Sequence, residues 1–447
     1  MKNKLLLTLF LLTSFIFAQE SDKKSFSFSL EQAIEHATKN NYSIQNANRD
    51  VDAAKKKKWE TTTMGLPQIN GSVNYQNTFE FTKQGAAANA FNPLANPNDI
   101  ALLAFGTKHT MVGNLTLSQL IFDGSYLVGL QSAKTYLQIS ENAKVKTEQE
   151  IREIVINSYG NVLIADESIV ILEGNKKNLE KTLSDTREIY KNGLIEEENV
   201  EQLQITLSSL NSSLENVKRQ KRIAIDMLKL ISGINLEDEL VITDKLSVLT
   251  QNNIDLGLLQ KEFEATNNID YQIGKNVEKS KELLLKLEKS KALPSLAAQL
   301  NFGYNSFANQ FNFLSNDQKW NNFSNVGVGL NVPIFSSFGR SSRTQQAKIA
   351  LDQAKTELTE TEQKLKLQFE KAKSDYEFSI EQLATSKSNL NLAERIENKN
   401  QIKFKEGLSS SFELTDAQNQ LYSAQQSYLQ AMLDVINKKA TLEKLLN

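Results

Sequence analysis

Few residues in this chain are of a type and spacing that could do chemistry. Glu413 and Asp416 stand three apart in a stretch of helical periodicity, which puts both carboxylates on one helix face. Negative charge of that kind attracts cations, although such pairs are most often a plain solvated face. Glu196, Glu197 and Glu198 open another helical stretch, where acids stabilise a helix N-terminus. Lys55 to Lys58 form a four-lysine run, read as a solvated helix end. The two histidines, His36 and His109, stand far apart and read as surface or internally satisfied side chains. With Cys 0, disulfides, thiolate metal sites and thiol catalysis are excluded. No nucleophile-elbow, Walker or Rossmann motif occurs. The expectation is a protein that is not an enzyme and has no cofactor and no metal.

The elements that must position these residues are long. Lys plus Arg is 51 and Asp plus Glu is 53, a net charge of -2, which argues against a dedicated nucleic-acid binder. Hydrophobic residues are 40% and charged residues 23%, too polar for a helical membrane transporter but enough for a core. The N-terminus, Met1 to Ala18, has Lys2 and Lys4 ahead of a short apolar run. It reads as a secretory signal peptide over 1–18, which directs the product to the cell envelope. The prolines, Pro67, Pro93, Pro97, Pro294 and Pro333, fall in two zones. Elsewhere the chain is free of this helix breaker.

The proline-free stretches carry a heptad seam. Ile151, Val155, Ser158, Val162, Ala165, Ile169, Leu172, Lys176, Leu179, Leu183, Thr186 and Tyr190 step by four and three, the spacing of a left-handed coiled coil. Ala347, Leu351, Ala354, Leu358, Leu365, Phe369, Ala372, Tyr376, Ile380 and Leu383 form a second stripe. Helices near 125–192 and 341–406 are predicted, each about 100 Å long at the standard rise. The proline zones alternate instead. Val73, Tyr75, Phe79 and Phe81 mark one strand; Met111, Leu115 and Leu117 mark a second. Leu300, Phe302 and Tyr304 mark a third, and Val326, Val328, Leu330 and Val332 a fourth. Strands of this length and alternation suit a membrane β-barrel as well as a soluble antiparallel sheet. Phe311, Phe313, Trp320 and Phe323 suit an interfacial aromatic girdle.

The pattern occurs twice. Leu66-Pro67-Gln68 matches Leu293-Pro294-Ser295, Ile121-Phe122-Asp123-Gly124 matches Ile334-Phe335-Ser336-Ser337, and Lys191-Asn192-Gly193-Leu194 matches Lys405-Glu406-Gly407-Leu408. The first copy is longer, with the surplus near Gly85 to Asp99, a loop read as facing outward. The predicted organisation is a first repeat over 19–240 with a strand pair about 68–123 and a turn at 193. A linker follows over 241–254. The second repeat runs over 255–447 with a strand pair about 295–335 and a turn at 407.

These landmarks, with Leu30-Glu31-Gln32-Ala33-Ile34 and Asn40-Asn41 near the start, resemble the TolC family of outer-membrane efflux proteins over nearly the whole mature chain. The resemblance implies an α+β membrane protein with internal duplication. Its trimeric twelve-stranded outer-membrane β-barrel takes four strands from each chain and continues as a coiled-coil α-helical periplasmic barrel. It implies a passive exit duct of a tripartite efflux or type I secretion system in the cell outer membrane. The partners implied are a homotrimer, a periplasmic adaptor, an inner-membrane pump of RND or ABC type, and outer-membrane lipid. Carried over by position, Glu413 and Asp416 fall at the periplasmic aperture, where Asn199 and Gln202 replace them in the first repeat. Gly193, Leu194, Gly407 and Leu408 fall at the turns that contact the adaptor. A structural coiled-coil stalk or adhesin is the competing expectation.

Overall fold

The computed structural model describes residues 24–446, so the expected signal peptide lies outside the described residues. The chain divides into two compact units. One contains the residues up to Arg49, Asn142–Ile273 and those from Thr359 on; the other contains Asp50–Glu141 and Gly274–Leu358.

The second unit holds an antiparallel four-stranded sheet. Its strands are β2 (Gln68–Asn77), β5 (His109–Asp123), β7 (Ser295–Ala308) and β8 (Asn321–Asn331), in the order β2-β5-β7-β8. The repeats therefore meet at the centre of the sheet, and each leaves one strand on an edge. A separate hairpin, β3 (Lys83–Ala87) with β4 (Ile100–Ala104), fills the loop between β2 and β5. The sequence pattern predicts a loop there, and the structure instead pairs its two ends as strands. Phe79 and Phe81, expected in the first strand, lie beyond its end at Asn77.

Register gives this sheet two unlike faces. Ile69, Leu117, Leu300 and Val326 pair directly across the four strands and so share one face. Val328 and Leu330 continue that face and are exposed. The next row, Asn70, Thr116, Asn301 and Asn325, lies on the other face. There the Thr116 hydroxyl donates to Asn301 Oδ1 at 2.7 Å, and Asn301 Nδ2 donates to Asn325 Oδ1 at 3.0 Å. The four strands hold no Lys or Arg, and their one acid, Asp123, ends β5. Phe323 pairs with Gly303 and sits on the polar face, not in an apolar girdle. A Cβ on Gly303 would lie 2.4 Å from the Gly113 carbonyl oxygen and 2.6 Å from the Phe323 ring, so glycine is required there. Phe311 and Phe313 pack with Tyr75 and each other at 5.5–6.0 Å between ring centres, and Phe313 is buried.

The helices are as long as the heptads require. α1 is Leu30–Asn40, α2 Tyr42–Thr63, α3 Gly124–Lys191, α4 Glu197–Ser232, α5 Leu246–Asn252, α6 Ile269–Ser290, α7 Gly339–Lys405 and α8 Ser411–Leu446. The duplication shows in their lengths: α3 and α7 have 68 and 67 residues, and α4 and α8 have 36 each. Val155, Val162, Leu172, Leu179 and Leu183 of the expected seam are buried, as are Ser158, Ala165 and Thr186, small residues that let helices approach closely. α3 contains an 18-residue window of mean hydropathy 1.3, and its apolar residues Val155, Ile156, Val162 and Leu163 belong to the core of the first unit.

Local chemistry explains the breaks. Asn41 ends α1 and starts α2: its Oδ1 accepts from the Ser43 and Ile44 amides at 2.8 and 3.3 Å, while its Nδ2 donates to the Ile231 carbonyl at 2.7 Å. Asp123 caps α3 by accepting from the Ser125 and Tyr126 amides at 2.6 and 3.0 Å. The second repeat lacks that acid. There Ser337 and Phe338 adopt positive φ of 47° and 62°, and Arg340 ties the bend by donating to the Pro333 and Ile334 carbonyls at 2.8 and 3.1 Å. Lys55 to Lys58 do not reach the last turn of α2, so they do not offset its dipole. Lys55 pairs with Asp52 and Lys57 with Glu60. His36 Nδ1 sits 3.0 Å from the Ser232 carbonyl. The 241–254 stretch carries part of strand β6 (Glu239–Ile242) and α5; β6 runs parallel to β1 (Ser25–Phe28).

Candidate functional site

The residues singled out in the first unit gather around two helical turns. Gly193 follows α3 with φ +72°, and Gly407 follows α7 with φ +68°. Both turns close identically. The Gly193 amide donates to the Tyr190 carbonyl at 2.8 Å and the Leu194 amide to Ile189 at 3.2 Å; Gly407 donates to Phe404 at 3.1 Å and Leu408 to Lys403 at 2.8 Å. These bonds satisfy the last carbonyls of each helix, and the left-handed residue suits glycine. The apolar side chains nearby are left in solvent: Leu194, Leu408 and Phe412 are 75%, 77% and 71% exposed. Phe412 has no counterpart in the sequence motif that marks the turns, so the motif did not reveal it.

The starts of α4 and α8 touch. The Ser411 amide donates to Asn199 Oδ1 at 3.3 Å, which places both turns at the same end of the unit. Asn199 is the first-repeat counterpart of Glu413, so the duplication brings an amide beside the acid-bearing helix start. Glu413 and Asp416 are both exposed. Glu413 accepts from the Ser410 amide at 3.3 Å, while its own amide donates to Ser410 Oγ at 3.3 Å. That reciprocal box caps α8 and gives the Glu413 carboxylate a structural partner the acid spacing alone does not disclose. Asp416 accepts from Gln420 at 2.8 Å on its own helix. Glu197 and Glu198 lie in the first turn of α4, where their charge complements the helix dipole.

Behind this end, Glu397 of α7 is held above the usual carboxylate range, mainly by burial, against the pull of its hydrogen bond with Gln418 and of Lys405. Tyr422 of α8 is pushed up to about 12 by burial and by the Glu397 charge.

The family model for outer membrane efflux proteins matches residues 33–233 and 282–447. The chain belongs to that family. The chain is an outer-membrane efflux channel reaching into the periplasm, the exit duct of a tripartite efflux system. Membership implies a trimeric channel that works with adaptors and pumps. Similar solved structures agree on the fold. VceC of Vibrio cholerae matches with a TM-score of 0.70 at 14% identity, covering 93% of this chain and 95% of that one. CusC matches with a TM-score of 0.72 at 16% identity, covering 96% of each. CmeC of Campylobacter jejuni matches with a TM-score of 0.70 at 16% identity, covering 93% of this chain and 85% of that one. Comparison with curated proteins finds no matching relative.

Proposed function

We propose that three copies close a single twelve-stranded barrel, each giving the sheet β2-β5-β7-β8. The four-stranded sheet itself carries this reading: one face is apolar, the other uncharged and polar, and β2 and β8 are open edges. Open strand edges are not tolerated in lipid, and four strands are too few to close a barrel. The apolar face meets the acyl chains and the amide-rich face meets water in the lumen. A coiled-coil stalk or adhesin needs the heptads but has no use for such a sheet.

In this duct the end of the first unit that bears both turns is the periplasmic end. Gly193, Leu194, Gly407 and Leu408 form the surface offered to a periplasmic adaptor, with Phe412 adding apolar area. An inner-membrane pump of RND or ABC type supplies the energy. Glu413 and Asp416, repeated by the threefold, ring the aperture with negative charge and favour cations. Asp416 dominates that ring, because Glu413 is partly offset by the helix start it caps.

Reversal potentials of the purified trimer in planar bilayers under a KCl gradient test the assignment. Wild-type pores are expected to prefer K⁺. Asp416→Asn should lower that preference more than Glu413→Gln, and the double variant most. Selectivity unchanged in the double variant would remove the aperture assignment.

A further inference from the structure

The seam between α7 and α8 holds two polar residues where its spacing calls for apolar ones. Leu390, Ala393 and Glu397 of α7 step by three and four, as do Leu414, Gln418 and Leu421 of α8, the pattern of a coiled-coil interface. Leu390, Ala393 and Leu421 pack together; Leu414 is fully buried and Gln418 is 3% exposed. Glu397 and Gln418 hydrogen bond to each other across the seam. A polar pair at such a site costs stability. Two amides would set the register; an acid adds a proton-dependent charge.

One atom of the pair is left over. An ionised carboxylate only accepts hydrogen bonds, so the Gln418 amide nitrogen is the donor. Gln418 Oε1 is then buried without a hydrogen-bond partner among the described residues. Buried acceptors are ordinarily satisfied. This one is too enclosed to be met by solvent, so its donor has to come from inside the seam. Protonated Glu397 carries one, since a neutral carboxyl has an O–H as well as a carbonyl. Acid and amide can then exchange two hydrogen bonds: the acid carbonyl accepts from the amide nitrogen, and the acid hydroxyl donates to Oε1.

The surroundings favour the neutral acid. Burial is the largest influence on Glu397 and raises its carboxyl above the usual range; Gln418 and Lys405 of α7 pull it down by less. On α8, the Tyr422 hydroxyl lies within reach of the Glu397 charge and is itself pushed up to about 12, so it stays neutral. Among the described residues, α3 and α4 bring no charged group to bear on Glu397.

We propose that Glu397 and Gln418 form a proton-operated latch between α7 and α8. With the proton bound, the reciprocal pair holds the start of α8 against α7. Without it, Oε1 loses its donor, a charge lies buried in the seam, and this end of the hairpin opens more often. Glu413 and Asp416 ride on the same stretch of α8, so in the duct the latch ties the freedom of the aperture to periplasmic pH. That consequence rests on the duct reading; the latch itself rests only on the seam.

Hydrogen exchange of the full-length, detergent-solubilised protein at pH 4 and pH 7, read by mass spectrometry and corrected for the intrinsic rate, tests it. Peptides spanning Glu397 and Gln418 are expected to exchange about tenfold faster at pH 7, the scale of one unmet hydrogen bond. Glu397→Gln, which offers Oε1 a permanent amide donor, should lose that difference. The swapped pair, Glu397→Gln with Gln418→Glu, should restore it, which a purely structural role for either side chain would not do. The proposal is overturned if wild-type protection is the same at both pH values, if Glu397→Gln keeps the wild-type response, or if the folded double variant stays insensitive. Should the double variant fail to fold, the near-isosteric Glu397→Gln decides. Exchange is read without conduction, so a protein that forms no pore but shows the response loses the duct reading and keeps the latch.

Discussion

Two buried tyrosines secure the opening segments of the repeats. Tyr159 of α3 sets its hydroxyl 3.0 Å from both the Phe28 carbonyl oxygen and Asp244 Oδ2, which share its one proton. Tyr376 of α7 donates to the Asn253 carbonyl at 2.7 Å and accepts from the Asp255 amide at 2.8 Å. Both rings are fully buried, and burial is the main reason both hydroxyls resist ionisation. Tyr376→Phe keeps the ring and leaves two backbone groups unsatisfied. It should cost about 1–3 kcal/mol, read as a lower denaturant midpoint with an unchanged slope. Heptad spacing marked Tyr376 as a packing residue. It could not show the hydroxyl's partners, because periodicity reports which side a ring faces and not what its polar tip meets. Glu397 gives a pH-dependent counterpart. Its carboxyl titrates higher in the fold than in the unfolded chain, so between those two values the folded state holds more proton and stability falls as pH rises. Glu397→Gln is therefore expected to stabilise the α7–α8 end at neutral pH, with the gain vanishing once pH falls below the ordinary glutamate value. Thermal melts at pH 7 and pH 4 check this; an equal gain at both would show that the charge is not the cause.

At the level of elements, much of the architecture could be read in advance. Most of the seam from Val155 to Thr186 is buried, the turns fall at Gly193 and Gly407, and each proline zone contributes two strands to the sheet. These features rest on local rules: heptad spacing, left-handed glycine and alternation. What stayed hidden depends on distant partners. The β3–β4 hairpin joins a segment of small residues, Gly85 to Ala87, to Ile100–Leu102, and the first of these gives little strand signal alone. Phe323 looked like part of a girdle until its pairing with Gly303 fixed its face. At the candidate site, the acid spacing was legible, but the capping box between Ser410 and Glu413 depends on geometry. The sheet's faces make a prediction at this scale. Val328 is exposed on the apolar face, so Val328→Lys should destabilise the inserted barrel by about 2–4 kcal/mol if the site lies near mid-membrane. Gly327→Ser, on the lumen side, should be tolerated. Urea unfolding from lipid vesicles compares the two, and equal effects would contradict the assignment of faces.

For the whole molecule, duplication explains both what one chain achieves and what it leaves undone. Two copies of one plan place β5 and β7 side by side at the centre of the sheet, each repeat satisfying the other's inner edge. Among the described residues, the outer edges of β2 and β8 have no partner strand. Family membership and the sheet's amphipathic faces lead to one resolution, in which β8 of one copy pairs with β2 of the next until three close the ring. The absence of cysteine makes that closure directly measurable. Ser72→Cys on β2, combined in turn with Asn325→Cys, Gly327→Cys and Gly329→Cys on β8, sets thiols on the same polar face of both edges. Oxidation of the protein in outer-membrane fractions, followed by denaturing electrophoresis, should give dimers and trimers for the pairing in register, and nothing larger. A ladder continuing past three copies, or no cross-link from any pairing, would contradict a closed trimeric barrel.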